Sequence, residues 1–504
     1  MATAAVERTP RLGVSGHPLT PEQCLIIDTP PTRTFKCEAF AGCAKTSTSV
    51  EYAHAYPIEA LYLAFNTSIA LEAKGKFPSH VLTKTANAYA YQQMNVRAYS
   101  DRMLRFSMKP EHLDPCENLI RPMGHMTEKS VRYAIIKSIN SFLISGDRKI
   151  EKHHLNPFPI AHRPAAASMV QQVADRMLAF ETSDMHFTHD IYLKAFQLRG
   201  KIEDRFRYLI IDEAQDLNPV LIAIAKQSGL PCIIIGDPKQ SIYRFRGAEQ
   251  AMDYFEGPTF PLTQSFRFGQ DVASVANFIL KQSHERPSNL IRGNPNKSTE
   301  IREYKGTISG KATILARTNM RLFESLVSIP STFHVVGDIG DMINLVEAGH
   351  HMWAKARGRP AGKYIYNQML ARFRSWEDVL ESVEVDEDPE ITRMVNIIDL
   401  YQERIPEVIK DLRSRSMESE SDARFVVSTA HKAKGREWDT VIMLDDFMPI
   451  IQLKAMRSKK RITPQEYDQE INLLYVSATR AIKVLQVSNP LYDEIIAGTD
   501  LPRR

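Results

Sequence analysis

Along most of the chain, short runs that are apolar at nearly every position alternate with longer segments whose apolar residues recur at helical spacing. The clearest runs are Leu61–Phe65, Tyr208–Ile211, Cys232–Ile235, Ala312–Ala316, Phe425–Thr429, Thr440–Leu444 and Val484–Val487. Continuous apolarity, without the every-other-residue rhythm of a half-solvated sheet, is what strands covered on both faces require. Interleaved with helices, these runs predict an α/β fold built on parallel sheets. Two stretches break the alternation. Residues 96–180 read as largely helical, with Met169, Val173 and Met177 on one face. Residues 321–423 read as mixed and then helical, with an acidic loop at Glu384–Asp388 and a helix over Glu390–Arg404. Each is expected to be an insertion into, or a satellite of, an α/β core. Residues 1–17 show no sustained period and read as a flexible tail.

At 504 residues the chain exceeds what a single core organises, so two to four domains are expected. Its 43% apolar and 25% charged residues are ordinary for a globular protein. The best apolar stretch, Pro231–Gly236, is far short of the roughly 18–20 residues that span a bilayer. Met1–Gly16 holds no continuous apolar region of the signal-peptide kind, so secretion is not expected, and a cytoplasmic protein, nucleoid-associated if bacterial, is. The five cysteines show no C-x-x-C spacing and suggest neither a disulfide framework nor a zinc site. A net charge of +4 says little about a nucleic-acid partner, because local basic patches decide that.

Two segments carry chemistry. Ala39-Phe40-Ala41-Gly42-Cys43-Ala44-Lys45-Thr46 follows a strand-like run and precedes a helix-like one, with the spacing of a phosphate-cradling loop. Such a loop needs inward-pointing backbone N–H groups, a lysine for the β- and γ-phosphates and a hydroxyl for Mg²⁺; Lys45 and Thr46 supply the last two. Ala39 and Ala44 stand where glycines are usual, and Ala44 strains the loop if that position needs positive φ. Alone, the segment also fits an ordinary strand-loop-helix. The second segment, Tyr208–Asp216, is an apolar strand ending in paired carboxylates. Asp212 at a strand end can hold Mg²⁺ through water, and Glu213 can polarise an attacking water. The bland alternative is a strand running into a solvated acidic loop.

Asp212-Glu213-Ala214-Gln215-Asp216, followed by Gly236–Ala248, resembles the UvrD/Rep branch of superfamily 1 helicases. Further motifs come in the family's order: Leu19–Gln23, Leu262–Phe268, Thr429–Asp439 and Asn472–Ala481. Within the branch, Leu63–Asn66, Gln264–Phe268 and His431–Gly435 are most similar to the F-box-type DNA helicases. No F-box-like segment is visible, so the resemblance is to the motor alone. It implies two RecA-like P-loop domains with parallel sheets, residues 18–95 with 181–265 (1A) and 266–320 with 424–504 (2A). It also implies two largely helical inserted subdomains, 96–180 (1B) and a reduced 321–423 (2B). ATP and Mg²⁺ would lie in the cleft between the RecA-like domains.

Residue by residue, the resemblance makes Ala41, Gly42, Cys43, Ala44, Lys45, Thr46 and Ser47 the phosphate cradle, with Thr46 and Asp212 at the metal. Gln23 would read the adenine edge and Phe266 stack on its face, though a phenylalanine equally fits core packing. Gln240 would sense the γ-phosphate, Arg267 and Arg480 would neutralise its developing charge, and Gly435 and Glu437 would contact the nucleotide. Phe65, Tyr243 and Phe245, with Arg246 beside them, would stack on bases, which suits a motor indifferent to sequence. Phe245 stands where many relatives carry tryptophan. Asn66, Thr85, Thr429 and His431 would touch the DNA backbone, although His431 also fits an ordinary loop histidine. Ala86 and Asn87 depart from the aromatic and histidine of relatives. Arg457–Arg461 could grip phosphates or simply be a solvated loop.

The function expected is an ATP-dependent single-stranded DNA translocase or DNA helicase of 3′ to 5′ polarity, acting in repair, recombination or replication. Its partners would be single-stranded DNA, junctions of single- and double-stranded DNA, and an unidentified nuclease or recombination factor. Two alternatives are a translocase that strips proteins from single strands without unwinding, and a non-hydrolysing nucleic-acid clamp.

Overall fold

The computed structural model describes residues 11–64, 66–104, 107–242, 251–362, 365–386 and 388–504. The chain divides into two compact units, Met1–Phe40 with Ala44–Leu262, and Ala41–Cys43 with Thr263–Arg504. The first unit holds β1 (Phe35–Ala39), β2 (Ala60–Ala64), β3 (Val81–Thr85), β4 (Tyr208–Ile211), β5 (Cys232–Gly236) and β6 (Thr259–Leu262). They form one sheet in the order β3-β2-β4-β5-β1-β6, with every neighbouring pair parallel. The second unit holds β7 (Glu300–Glu303), β8 (Ala312–Ala316), β9 (Phe333–Val335), β10 (Phe425–Thr429), β11 (Trp438–Met443) and β12 (Ala481–Val487). Its order is β7-β12-β11-β8-β10-β9, again parallel throughout. Each unit is a RecA-like α/β domain.

The strands β2, β4, β5, β8 and β10 are buried at every residue, as helices on both faces demand. Polar residues enter the edge strands β3, β6, β7 and β9, and also β1, β11 and β12. At an edge one side of the strand needs no ladder partner, and Pro261 in β6 is tolerated for that reason. Because all strands in a sheet run the same way, the loops that follow them emerge on one edge. That edge carries the chemistry described below.

The two helical stretches do not stand apart from their sheets. In the first unit, one hydrophobic cluster runs from Leu61, Leu209 and Ile234 into helix Glu128–Leu143, through Ile135 and Phe142, and into helix Arg163–Leu178, through Val173. In the second, Ile314 and Val427 share a core with Phe323, Ile343, Trp353 and Ile391. There helices Gly340–Ala356 and Pro389–Tyr401 approach so closely that a Cβ on Gly349 would lie 2.0 Å from Met394 Sδ. The Glu390 carboxylate accepts the N–H groups of Asn319 and Met320, tying this helical stretch to the helix that follows β8. Among the described residues no helix is long and apolar enough to cross a membrane.

In the first unit, Asp147, His153 and His154 bring ligand atoms within 4.8 Å of one another, close enough to suggest a metal. The hydrogen bonding argues otherwise. His154 Nδ1 accepts the Glu151 N–H at 2.9 Å, so the ring proton sits on Nε2, which faces Asp147 Oδ2 at 3.3 Å and has no lone pair to offer. Lys194, fully buried, donates to the Asp147 and Ser145 carbonyls, adding a positive charge that repels a cation. The cluster is a clip that closes the turn after helix Glu128–Leu143.

Two stability effects follow from this packing. All three tryptophans, Trp353, Trp376 and Trp438, lie in the second unit, so their fluorescence reports its unfolding alone. Trp353 is buried, and removing its ring should cost about 3–5 kcal/mol. A urea titration of Trp353→Ala, read on the two remaining tryptophans, should show the corresponding drop in midpoint. In the first unit, burial and the neighbouring His153 push His154 down to about 4, whereas an unfolded histidine titrates near 6.5. On acidification the unfolded chain takes the proton first, so stability present above about pH 6.5 is lost as pH falls toward 4. Denaturation monitored by circular dichroism should show that loss, and His154→Gln should flatten it.

Candidate functional site

Three loops leave the first sheet at the carboxyl ends of β1, β5 and β4, which are adjacent in that order. In open α/β sheets this edge is where ligands bind. After β1 the chain turns through Gly42 (φ 74°) and Ala44 (φ 58°, ψ 38°) into helix Lys45–Ala55. Ala44 therefore does adopt the left-handed conformation, at a cost of roughly 1–2 kcal/mol for a residue with a Cβ. As helix cap it offers no side-chain acceptor. The helix begins at the positive end of its dipole, which favours an anion there. Ala41 N–H donates to the Tyr475 hydroxyl at 2.9 Å, and the Gly42 carbonyl accepts the Phe266 N–H at 2.8 Å. Cys43 is buried, and Ser47 is exposed on the first helical turn.

Lys45 Nζ lies 3.7 Å from Glu213 Oε1, and Thr46 Oγ1 lies 3.5 Å from Asp212 Oδ2. Asp212, directly after β4, is buried; its Oδ1 accepts the Glu213 N–H at 2.8 Å, and its Oδ2 accepts the Tyr62 hydroxyl at 2.6 Å. Burial first, and then the Glu213 carboxylate, raise Asp212 above the usual carboxylate range, while Lys45 and the Tyr62 hydrogen bond pull it back. A divalent cation fits beside Asp212 and Thr46, because carboxylate, hydroxyl and phosphate oxygens are the hard donors such an ion prefers.

Glu213 is also left-handed (φ 51°, ψ 44°), which turns its side chain into a relay. Gln215 Nε2 donates to Glu213 Oε2 at 2.5 Å, Gln215 Oε1 accepts the Asp237 N–H at 3.0 Å, and Gln240 Nε2 donates to Asp237 Oδ2 at 2.7 Å. Glu213 and Gln240 are thereby joined through Gln215 and Asp237. Neither of those two was singled out from the sequence, and nor was Tyr62. A glutamine and an aspartate flanking apolar strands gave some signal; a tyrosine inside an apolar strand gave none.

Gln23 is buried against the same helix. Its Nε2 donates to Thr48 Oγ1 at 3.0 Å and its Oε1 accepts the Thr20 N–H at 3.0 Å, closing a capping box. One amide proton and one lone pair remain for a base edge. Toward the β3 side of the same edge, Asn66 and Thr85 follow β2 and end β3, adjacent strands in register at Ala64 and Thr85. Each caps a helix: Asn66 Oδ1 accepts the Ile69 N–H, and Thr85 Oγ1 the Ala88 N–H. Two helix N-termini therefore open on this edge, a geometry that suits backbone phosphates. Phe65, Tyr243, Phe245 and Arg246 lie outside the described residues.

In the second unit, Arg267 Nε donates to Glu437 Oε2 at 2.5 Å and its Nη1 to the Thr479 carbonyl at 3.0 Å. Arg480, next in sequence, is 1% exposed and donates to the carbonyls of Val476 and Arg436. Arg267, Glu437 and Arg480 thus gather in one place, with both guanidiniums engaged inside the unit. Gly435 sits nearby in a left-handed turn (φ 83°). Phe266 is 39% exposed, more than core packing would leave it. Thr429 ends β10 and His431 follows it, half-buried, at the carboxyl edge of the second sheet.

The geometry agrees with what comparison shows. The profile of the UvrD/REP helicase N-terminal domain matches residues 71–255, and that of the UvrD-like helicase C-terminal domain matches residues 346–491. F-box DNA helicase 1 of Gallus gallus is 28% identical over 494 residues, covering 90% of this chain and 47% of that protein. F-box DNA helicase protein 1 of Schizosaccharomyces pombe is 29% identical over 520 residues, covering 94% of this chain and 58% of that protein. ATP-dependent DNA helicase PcrA of Leuconostoc citreum is 28% identical over 127 residues, covering 23% of this chain and 17% of that protein. A crystal structure of Arterivirus nonstructural protein 10 (helicase) aligns with 93% of this chain and 62% of its own, at 10% identity and a TM-score of 0.35. The chain spans about half the length of the two F-box relatives it matches. With family profiles on both RecA-like halves and relatives alignable along nearly all its length, the chain belongs to the UvrD-like helicases.

Proposed function

We propose that this chain is the motor of an ATP-dependent DNA translocase or helicase that moves 3′ to 5′ along a single strand. The observation that carries the reading is the gathering of Lys45, Thr46, Asp212, Glu213 and Gln240 on three adjacent loops of one sheet edge. In this reading residues 18–95 with 181–265 and residues 266–320 with 424–504 are the RecA-like engine halves, and 96–180 and 321–423 are the 1B and 2B inserts. Single-stranded DNA and its junctions with duplex are the substrate, and a nuclease or recombination factor is a candidate partner. Support for DNA comes from the relatives, which are DNA helicases by name, and from the two helix N-termini at Asn66 and Thr85.

Each residue then has a chemical task. The uncapped N–H groups of helix Lys45–Ala55 and the Lys45 ammonium hold the phosphates, Lys45 exchanging Glu213 for them. Mg²⁺, held by Thr46 and through water by Asp212, would neutralise charge on the phosphate oxygens. Glu213 orients the attacking water, while Gln215 and Asp237 fix Glu213 relative to Gln240, so that water and γ-phosphate are sensed together. Arg267 and Arg480 would exchange their internal partners for the γ-phosphate during turnover.

ATP hydrolysis measured with and without single-stranded DNA tests this directly. Strong stimulation by the strand is expected, with Lys45→Ala losing roughly a hundred- to a thousand-fold in turnover. DNA binding with no hydrolysis above the Lys45→Ala level would leave a clamp instead of a motor. A strand-displacement assay then separates unwinding from protein stripping.

A further inference from the structure

Tyr62 occupies the middle of β2, is fully buried, and packs its ring against Phe77 with centroids 4.7 Å apart. By pattern it is a core residue. Its hydroxyl, however, crosses to the end of the neighbouring strand β4 and donates to Asp212 Oδ2 at 2.6 Å, a short, charge-assisted bond. The other carboxylate oxygen is fixed by the Glu213 N–H, and Thr46 Oγ1 stands 3.5 Å from Oδ2. Packing alone does not account for the Tyr62 hydroxyl, since phenylalanine would fill the same space and leave a buried oxygen of Asp212 short of a donor.

We infer that Tyr62 is a positioning residue for the metal site: its hydroxyl locks the Asp212 carboxylate in the orientation that presents its remaining lone pairs to the water shell of a nucleotide-bound divalent cation. The inference rests on the proposed nucleotide site and adds a residue to it from outside the recognised motifs. A carboxylate has about four acceptor positions. With one taken by Tyr62 and one by the Glu213 N–H, positions are left over on a carboxylate whose Oδ2 has Thr46 Oγ1 at 3.5 Å. Without the hydroxyl the carboxylate is free to turn about its Cβ–Cγ bond, lowering affinity for the metal without removing any group that holds the phosphates.

The test is equilibrium binding of N-methylanthraniloyl-ADP to the full chain, once in MgCl₂ and once in EDTA. The ratio of the two affinities isolates the metal's contribution without turnover. Wild type should bind more tightly with Mg²⁺; no metal effect there would overturn the nucleotide reading, and this inference with it. In Tyr62→Phe the metal's contribution should fall about tenfold, the range expected on removing a group that orients a metal ligand, while affinity in EDTA stays within about twofold. Phe77→Leu, which disturbs the same packing but keeps the hydroxyl, should retain the full metal effect. In an Asp212→Asn background, adding Tyr62→Phe should change nothing further. A metal effect unchanged in Tyr62→Phe, or a loss of equal size in EDTA, would show that Tyr62 only fills the core.

Discussion

Two carboxylates side by side at the end of a buried strand are costly, and much of the first unit is arranged around that cost. Asp212 is shut away from water, and Glu213 follows it in a strained left-handed turn. An isolated buried charge would take up a proton. Here Lys45, Tyr62, Thr46, Gln215 and backbone N–H groups surround the pair and hold it in place. In the proposed function a metal-bound phosphate joins that set of partners. The parallel sheet is the means. With β1, β5 and β4 adjacent and running the same way, lysine, glutamine and carboxylates far apart in sequence emerge together on one edge.

The second unit repeats the architecture without the acid pair. Its sheet edge carries Thr429 and His431, and its arginines, Arg267 and Arg480, are held by Glu437 and by backbone carbonyls. Lys45 and both arginines thus rest on partners inside their own units. The helical stretches share cores with their sheets and do not hang from them, helices Glu128–Leu143 and Gly340–Ala356 included.

Much of this was legible in the sequence, and the gaps have a common cause. Tyr208–Ile211, Ala312–Ala316 and Phe425–Thr429 read correctly to the residue because strands covered on both faces are apolar throughout. The four strands that went unread, β3, β6, β7 and β9, are the edges of the two sheets, where lysine, threonine, proline, glutamate and histidine are tolerated. Spacing picked out the turn after β1 and the carboxylates after β4, since those residues are tied to backbone turns. It could not reveal Tyr62, whose role depends on which strand lies beside it, nor that Gln23, Asn66 and Thr85 also serve as helix caps. Local pattern carries no information about the neighbouring strand.

The most direct test of the central claim, that the Asp212–Glu213 pair is the hydrolytic centre and not a structural knot, is Glu213→Gln followed by single-turnover ATP hydrolysis on single-stranded DNA. Glutamine keeps the size and the Gln215 contact but cannot orient a water by its charge. The expected result is retained nucleotide and DNA binding with the chemical step slowed by roughly a hundred- to ten-thousand-fold. Hydrolysis within a few-fold of wild type would contradict it and move the catalytic base elsewhere.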